Sequence, residues 1–272
     1  MRTTGSVLAV VPARAGSKGI PGKNLRTVAG RSLVRRAVES ARLASRIDDV
    51  VVTTDGDAIA AEARAAGATV VRRPTDLAGD EASSESALLH VLDTLAADGD
   101  GTLPEVLVFL QATSPFIDPA DLDRAVGRVV DDHADTVFAA APSHAFLWRT
   151  APDGRAVAVN HDAAVRPRRQ DREPEYRETG AFYVMRTAGF LAHRHRFHGR
   201  IELAVVDAAG AIDIDDPADL ALADALAPTR DAARRSSTQQ AASAQEPAAD
   251  AAPPSPPAPS PTRAAPAPNG AP

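Results

Sequence analysis

The 272-residue chain contains no cysteine, which removes disulfide frameworks, thiolate metal sites and thiol nucleophiles from consideration and leaves the cytoplasm as the expected compartment. A long apolar run is also missing. The longest near the start, Val7 to Val11, has the length of a strand and passes directly into Pro12 and Arg14, so neither a signal h-region nor a membrane span is expected. There is no basic excess: 36 acidic residues oppose 30 basic ones, giving a formal net charge of -6. No nucleic-acid footprint is expected, and an anionic substrate would have to bind in a pocket instead of across a face. The sharpest depletion is in lysine. Only Lys18 and Lys23 occur among the 30 basic residues, and all the others are arginine.

What is present is 44% hydrophobic residues, enough for a sizeable core, in a regular alternation. Val7 to Val11, Val50 to Thr54, Thr69 to Arg72, Val106 to Gln111 and Thr136 to Ala140 read as strands. Ser32 to Ala44, Ala58 to Ala66, Ser84 to Ala97 and Pro119 to Asp132 read as helices. This order predicts βαβ units and a doubly wound α/β domain over residues 1–227, with a mostly parallel sheet covered on both faces. Residues 142–200 interrupt it with scattered polar and aromatic residues and one clear strand, Ala181 to Met185, and are expected to form a small β-rich insertion. A last strand near Ala211 to Ile214 and a helix Pro217 to Leu226, with proline in a favoured first position, would close the core. From Pro228 the composition shifts to Ala, Pro, Ser and Gln, with 11 of the 22 prolines. Residues 228–272 are therefore expected to be a disordered tail, the alternative being a proline-rich ligand for a partner module.

Both lysines lie in one segment, Val11 to Asn24, between the first strand and the first helix, where open α/β sheets bind ligands. Gly16, Gly19 and Gly22 allow tight turns and close approach of amide N–H groups to phosphate, while Arg14, Lys18 and Lys23 supply charge. The glycine spacing fits neither the Walker A pattern nor the dinucleotide fingerprint. Two lysines kept only here suggest that a compact point charge is needed at both places. The loop reads as a polyphosphate cradle, the alternative being a basic surface loop.

The stretch Pro12-Ala13-Arg14-x-Gly16-Ser17-Lys18-Gly19, followed by Lys23-Asn24, resembles the N-terminal signature of the acylneuraminate cytidylyltransferases, or CMP-sialic acid synthetases. Further similar blocks are Thr53-Thr54-Asp55, Arg73-Pro74 with Asp80-x-Ala82-Ser83-Ser84, Leu110 to Pro115, Arg166 to Asp171, and Ile212 to Asp215. The resemblance covers residues 6–226, and Ser17-Lys18-Gly19 with Lys23-Asn24 favours this branch over the 3-deoxy-manno-octulosonate cytidylyltransferases. It implies a Rossmann-like nucleotidyltransferase fold, and a Mg²⁺-dependent reaction of CTP with an acidic 2-keto sugar that releases pyrophosphate. By the same resemblance Arg14, Ser17, Lys18 and Lys23 would hold the phosphates, with Gly16 and Asn24 in the same nucleotide-binding set, and Arg73 and Ser83 would lie around the cytidine. Gln111, Arg168, Arg169, Gln170, Arg177 and Thr179 would face the sugar acid. A homodimer is implied too, with the 142–200 insertion reaching the partner's site. One departure stands out: Thr179 replaces an asparagine common in the family, which removes an amide that could contact the sugar. Another nonulosonate or a phosphonate could then be the acceptor, and a non-catalytic nucleotide-binding regulator is the alternative of a different class.

Asp213 and Asp215 lie two apart on the expected last strand, so both side chains would leave one face and could share Mg²⁺ with phosphate oxygens and water. With Arg14, Lys18 and Lys23 they form the expected catalytic set. The same residues could instead serve the start of the following helix, for which Asp216 is the expected cap. Arg166, Arg168, Arg169, Arg172 and Arg177 could bind a substrate carboxylate, or pair with Asp171, Glu173, Glu175 and Glu178. His193, His195 and His198 are flanked by Arg194, Arg196 and Arg200 and are expected to be structural or solvated, since so positive a setting disfavours a cation.

Overall fold

The computed structural model describes residues 5–79, 82–98, 101–131 and 133–245, with side chains as far as residue 234. Asp80, Asp132 and residues 246–272 lie outside the described residues. In chain order the elements are β1 (Val7–Pro12), β2 (Thr27–Val28), β3 (Arg31–Ser32), α1 (Leu33–Leu43), β4 (Asp49–Thr54), α2 (Asp57–Ala65), β5 (Thr69–Arg72), α3 (Ser84–Asp98), β6 (Val106–Leu110) and α4 (Pro119–Val130). They continue with β7 (Thr136–Ser143), β8 (Trp148–Thr150), β9 (Ala156–Ala158), β10 (Glu175–Arg186), α5 (Thr187–His193), β11 (Ile201–Val205) and α6 (Pro217–Gln245).

Seven strands form the main sheet in the order β11-β7-β10-β6-β1-β4-β5. All pairings are parallel except those of β10, which runs antiparallel to both β6 and β7. The near-continuous apolar strands are explained by burial on both faces. Val7, Ala9 and Val11 of β1 point to one face, against Val34 and Val38 of α1 and Leu122 and Val126 of α4. Leu8 and Val10 point to the other, against Leu88 and Leu92 of α3 and Phe190 of α5. Helix starts follow their capping chemistry: the Ser32 hydroxyl accepts from Arg35 N at 3.2 Å, and Asp118 accepts from Ala120 N at 2.9 Å ahead of Pro119.

Three expectations are corrected. The insertion is narrower than 142–200: residues 144–174 form an arm with its own β8–β9 hairpin, while β10 is a central strand and α5 packs back on the sheet. The last strand is β11, not Ala211 to Ile214. Asp207 caps a short turn over Ala208–Gly210 that swings the chain off the sheet, and Ile214 uses its apolar side chain to join a separate small core with Ile20, Val28 and Leu33. Finally, α6 does not stop at Leu226, so residues 228–245 belong to a helix and not to the expected tail. The helix continues through Pro228, whose missing N–H is offset by tertiary packing: Ala223 and Ala227 before it and Asp231 beyond it are buried, and Asp231 pairs with Arg36. Among the described residues no helix is long and apolar enough to cross a membrane.

The first turn of α4 carries a buried carboxyl. Burial pushes Asp121 up to about 6, and the charges of Asp118 and Asp207 add to this against the pull of Arg124. A folded-state pKa above the unfolded value means a contribution that is complete at acid pH and lost as pH rises through about 6. Asp121→Asn is therefore expected to gain melting temperature relative to the wild type between pH 4 and pH 8. A constant difference across that range, read by thermal denaturation, would contradict the assignment.

Candidate active site

The phosphate loop leaves β1 and is tied down at both ends. Ala13 N donates to Thr53 O (3.0 Å) and Ala15 N to the Asp55 carboxylate (2.8 Å), while the Asn24 side-chain amide donates to Arg14 O (2.9 Å). Gly22 has a φ of 64°, the left-handed conformation that starts the turn over Lys23–Leu25. Arg14, Ser17, Lys18, Lys23 and Asn24 line one side of a cleft at the carboxyl end of the parallel strands. Arg73, Ser83, Gln111, Thr113 and Asp215 line the rest. Nine of the residues selected from the sequence are thus brought together.

At the back of this cleft Arg73 is buried, with its guanidinium donating to Thr53 O at 2.8 Å. Burial lowers its pKa and the Arg14 charge adds to this, while the Asp55 carboxylate opposes it. Ser83 caps α3, its hydroxyl accepting from Ser86 N at 3.1 Å, so that helix's positive end faces the cleft.

The carboxylate segment meets the phosphate loop directly. Lys23 Nζ donates to Ile214 O (2.8 Å) and to the Asp215 carboxylate (3.0 Å). A Cβ on Gly19 would stand 2.3 Å from Asp215 O. Asp213 and Asp215 therefore converge on the loop from an irregular segment and not by strand alternation. The segment is held by Ile214 N donating to Thr113 O at 3.0 Å and by buried Ile214 itself. Asp216 accepts from Ala218 N (2.7 Å) and Asp219 N (3.0 Å), which fulfils its expected role as cap. Asp219 in return accepts from Asp215 N and Asp216 N, both at 3.0 Å.

Asp213 is the more buried carboxylate. Burial raises its pKa, and the Asp215 charge adds to this against a hydrogen bond from Thr113 and the charge of Lys23. Its Oδ1 is buried without a hydrogen-bond partner. A desolvated carboxylate oxygen with nothing to accept from, beside a second carboxylate, fits a hard divalent cation that takes its other ligands from phosphate and water.

The sugar-facing set is only partly assembled. Gln111 lines the cleft, but Arg168, Arg169 and Gln170 lie on the arm, where Arg168 pairs with Asp171 at 2.8 Å. Arg166 and Arg172 both stack on Phe146, 4.3 Å from its centroid. Arg177 Nη2 donates to Ala211 O at 3.3 Å. Thr179 is buried, its hydroxyl donating to Ala139 O (3.1 Å) and accepting from Ala181 N (3.3 Å), so in this chain it stabilises the bulge of β10 and does not reach the cleft. The bulge lies beside Gln111: Gly180 takes a left-handed φ of 76°, and a Cβ there would touch the Gln111 side chain at 3.4 Å. His193 and His198 stack at 5.7 Å beside α5, with His198 buried and His193 exposed. Thr113 and Asp55 carry positioning roles that the sequence did not assign, although each lies inside a family-like block.

A mostly parallel α/β sheet with a lysine-bearing loop at the carboxyl end of its first strand is the architecture of a nucleotidyltransferase-type fold. The chain belongs to the cytidylyltransferase family, whose model matches residues 8–220. It is similar to an N-acylneuraminate cytidylyltransferase of Oncorhynchus mykiss, 37% identical over 183 residues, which are 65% of this chain and 40% of that protein. It is similar also to a CMP-N,N'-diacetyllegionaminic acid synthase of Legionella pneumophila, 33% identical over 232 residues, 81% of this chain and 95% of that protein. Among solved structures, CMP:2-keto-3-deoxy-manno-octonic acid synthetase complexed with CTP superposes with a TM-score of 0.64 over 82% of this chain and 99% of that one. At 19% identity that likeness speaks for the fold alone. The chain spans about two fifths of the length of several vertebrate relatives it matches.

Proposed function

We propose that the protein transfers CMP from CTP to an acidic 2-keto sugar of the sialic acid type, forming a CMP-sugar and pyrophosphate. The observation that carries this reading is the meeting of the phosphate loop with the Asp213–Asp215 segment through Lys23 and Gly19. Arg14, Lys18 and Lys23 bind the triphosphate, and the end of α3 with Arg73 and Ser83 receives the cytidine. The anomeric hydroxyl of the acid attacks the α-phosphorus from the Gln111 side. Negative charge then grows on the phosphoryl oxygens and on the leaving pyrophosphate, where Arg14, Lys18 and Lys23 stabilise it. Asp213 and Asp215 would hold Mg²⁺, which when bound supplies further neutralisation of the phosphates. Positioning and charge together account for the acceleration.

The homodimer belongs to the same proposal. Leu147, Trp148, Val159, Val165 and Tyr176 on and beside the arm are exposed, an apolar surface that suits a second copy, and Arg168, Arg169 and Gln170 would then complete the partner's site. A cytoplasmic setting agrees with the cysteine-free chain. The second reading, a different acid as acceptor, is favoured by Thr179 standing where an amide is common, with its hydroxyl already engaged.

Incubation with CTP, Mg²⁺ and a panel of 2-keto sugar acids and phosphonates, with pyrophosphate recorded, tests both. Turnover with a nonulosonate is the expected result. CTP binding without turnover on any acid would overturn the enzyme reading in favour of a nucleotide-binding regulator.

A further inference from the structure

We propose that the middle of α6, from Asp224 to Asp231, is a strap that positions the nucleotide cleft, with Arg36 and Asp231 as its positioning residues; the inference rests on the reading of that cleft as the CTP site. Among the described residues, none of α6 lines the cleft. Yet the partners of this stretch stand at the ends of three of the segments that do: the phosphate loop, the Gln111–Thr113 edge and the carboxylate segment.

Arg36 is the hub. It is 1% exposed, and its guanidinium donates to Val28 O (2.9 Å), Pro115 O (3.4 Å) and both oxygens of Asp231 (3.0 and 2.8 Å) while lying over the Phe116 ring. Val28 follows the phosphate loop, and Pro115 follows Gln111–Thr113. Asp231 also pairs with Arg31 of the same hairpin, and Asp224 of α6 accepts from Ala29 N at 2.8 Å, at the hairpin's left-handed turn (φ 48°). The third tie runs to the carboxylate segment: Arg230 pairs with Asp207, which caps the turn leading to Asp213. The fit there is close, since a Cβ on Gly210 would come within 2.8 Å of the Arg230 guanidinium. One helix thus fixes the phosphate loop, the Gln111–Thr113 edge and the carboxylates relative to one another, through groups with directional bonds. An always-charged guanidinium in so dry a place keeps a single geometry only while each acceptor stays put.

A purely structural role is separated from a positioning role by Arg36→Met with Asp231→Leu, which replaces the buried pair by apolar side chains of similar volume and is expected to fold. Amide exchange of residues 13–24 and 206–216 in the nucleotide-free double variant is expected to quicken about tenfold, with β4 and β5 unchanged, and CTP affinity to fall about tenfold. Asp224→Ala, at an exposed contact, is expected to weaken CTP about threefold at an unchanged melting temperature. If the double variant does not fold, Asp224→Ala decides by the same two readouts. Wild-type exchange rates and affinities in a folded variant would overturn the strap. Failure of the wild type to bind CTP would overturn the functional reading instead, and the exchange rates would still decide the strap.

Discussion

Asp213→Asn is expected to lower kcat at saturating CTP and Mg²⁺ by about 10³-fold, a loss of the size seen when one preorganised charge stabilising a transition state is removed. The substitution keeps the shape and leaves the Thr113 hydroxyl a partner, so the charge alone is removed. Because burial already disfavours the ionised form of Asp213, the asparagine variant is expected to melt at the wild-type temperature or above it at neutral pH. Activity and stability should therefore move in opposite directions. Steady-state kinetics with a melting curve on the same preparation checks this. A kcat within tenfold of the wild type would mean that the unpartnered Oδ1 serves no cation.

Gly19→Ala is expected to cost about 10²-fold in kcat/KM, the penalty associated with a displacement of about 1 Å between catalytic groups. The glycine does not need a left-handed backbone here. What it needs is space, because the added methyl would lie 2.3 Å from the carbonyl oxygen of Asp215, a backbone atom that cannot swing aside. Phosphate loop and carboxylate segment must then separate, which stretches the two bonds from Lys23. Gly16→Ala is the control: a Cβ there meets nothing within 4 Å, so it adds a methyl to the loop without prising the segments apart. Equal losses in the two variants would show that the methyl hinders the triphosphate itself and that the spacing is not the cause.

The sheet was legible where strands are buried on both faces, because Val7 to Val11 or Val106 to Leu110 have no other way to hide so many apolar atoms. It was illegible at the β11 edge. β11 exposes Ile201 and Val205, so its pattern is diluted, while Ile212 and Ile214 alternate like a strand but insert into the small core beneath α6. Composition misplaced the end of α6 for a related reason: Pro228 and the alanines around it say nothing of Arg36, nearly two hundred residues earlier, whose buried charge needs Asp231. For the site, local chemistry sufficed for the loop, since glycines and lysines act where they stand. The sugar-facing arginines depend on where the arm goes, and a single chain does not bring them to Gln111. Thr179 was singled out for an absent amide, and its hydroxyl is used by the bulge.

The small core of Ile20, Val28, Leu33 and Ile214 joins the two walls of the cleft by apolar burial, whereas the side chains that would hold a triphosphate there, Arg14, Lys18 and Lys23, act by charge. Those two attractions answer to different solvents. Salt screens the lysines and arginines within about 10 Å at 0.1 M ionic strength but leaves apolar burial intact, and cooling weakens the burial while charges keep their strength. On the proposed function, salt is expected to release the nucleotide with the walls still in register, and cold to loosen the walls with the charges still in place.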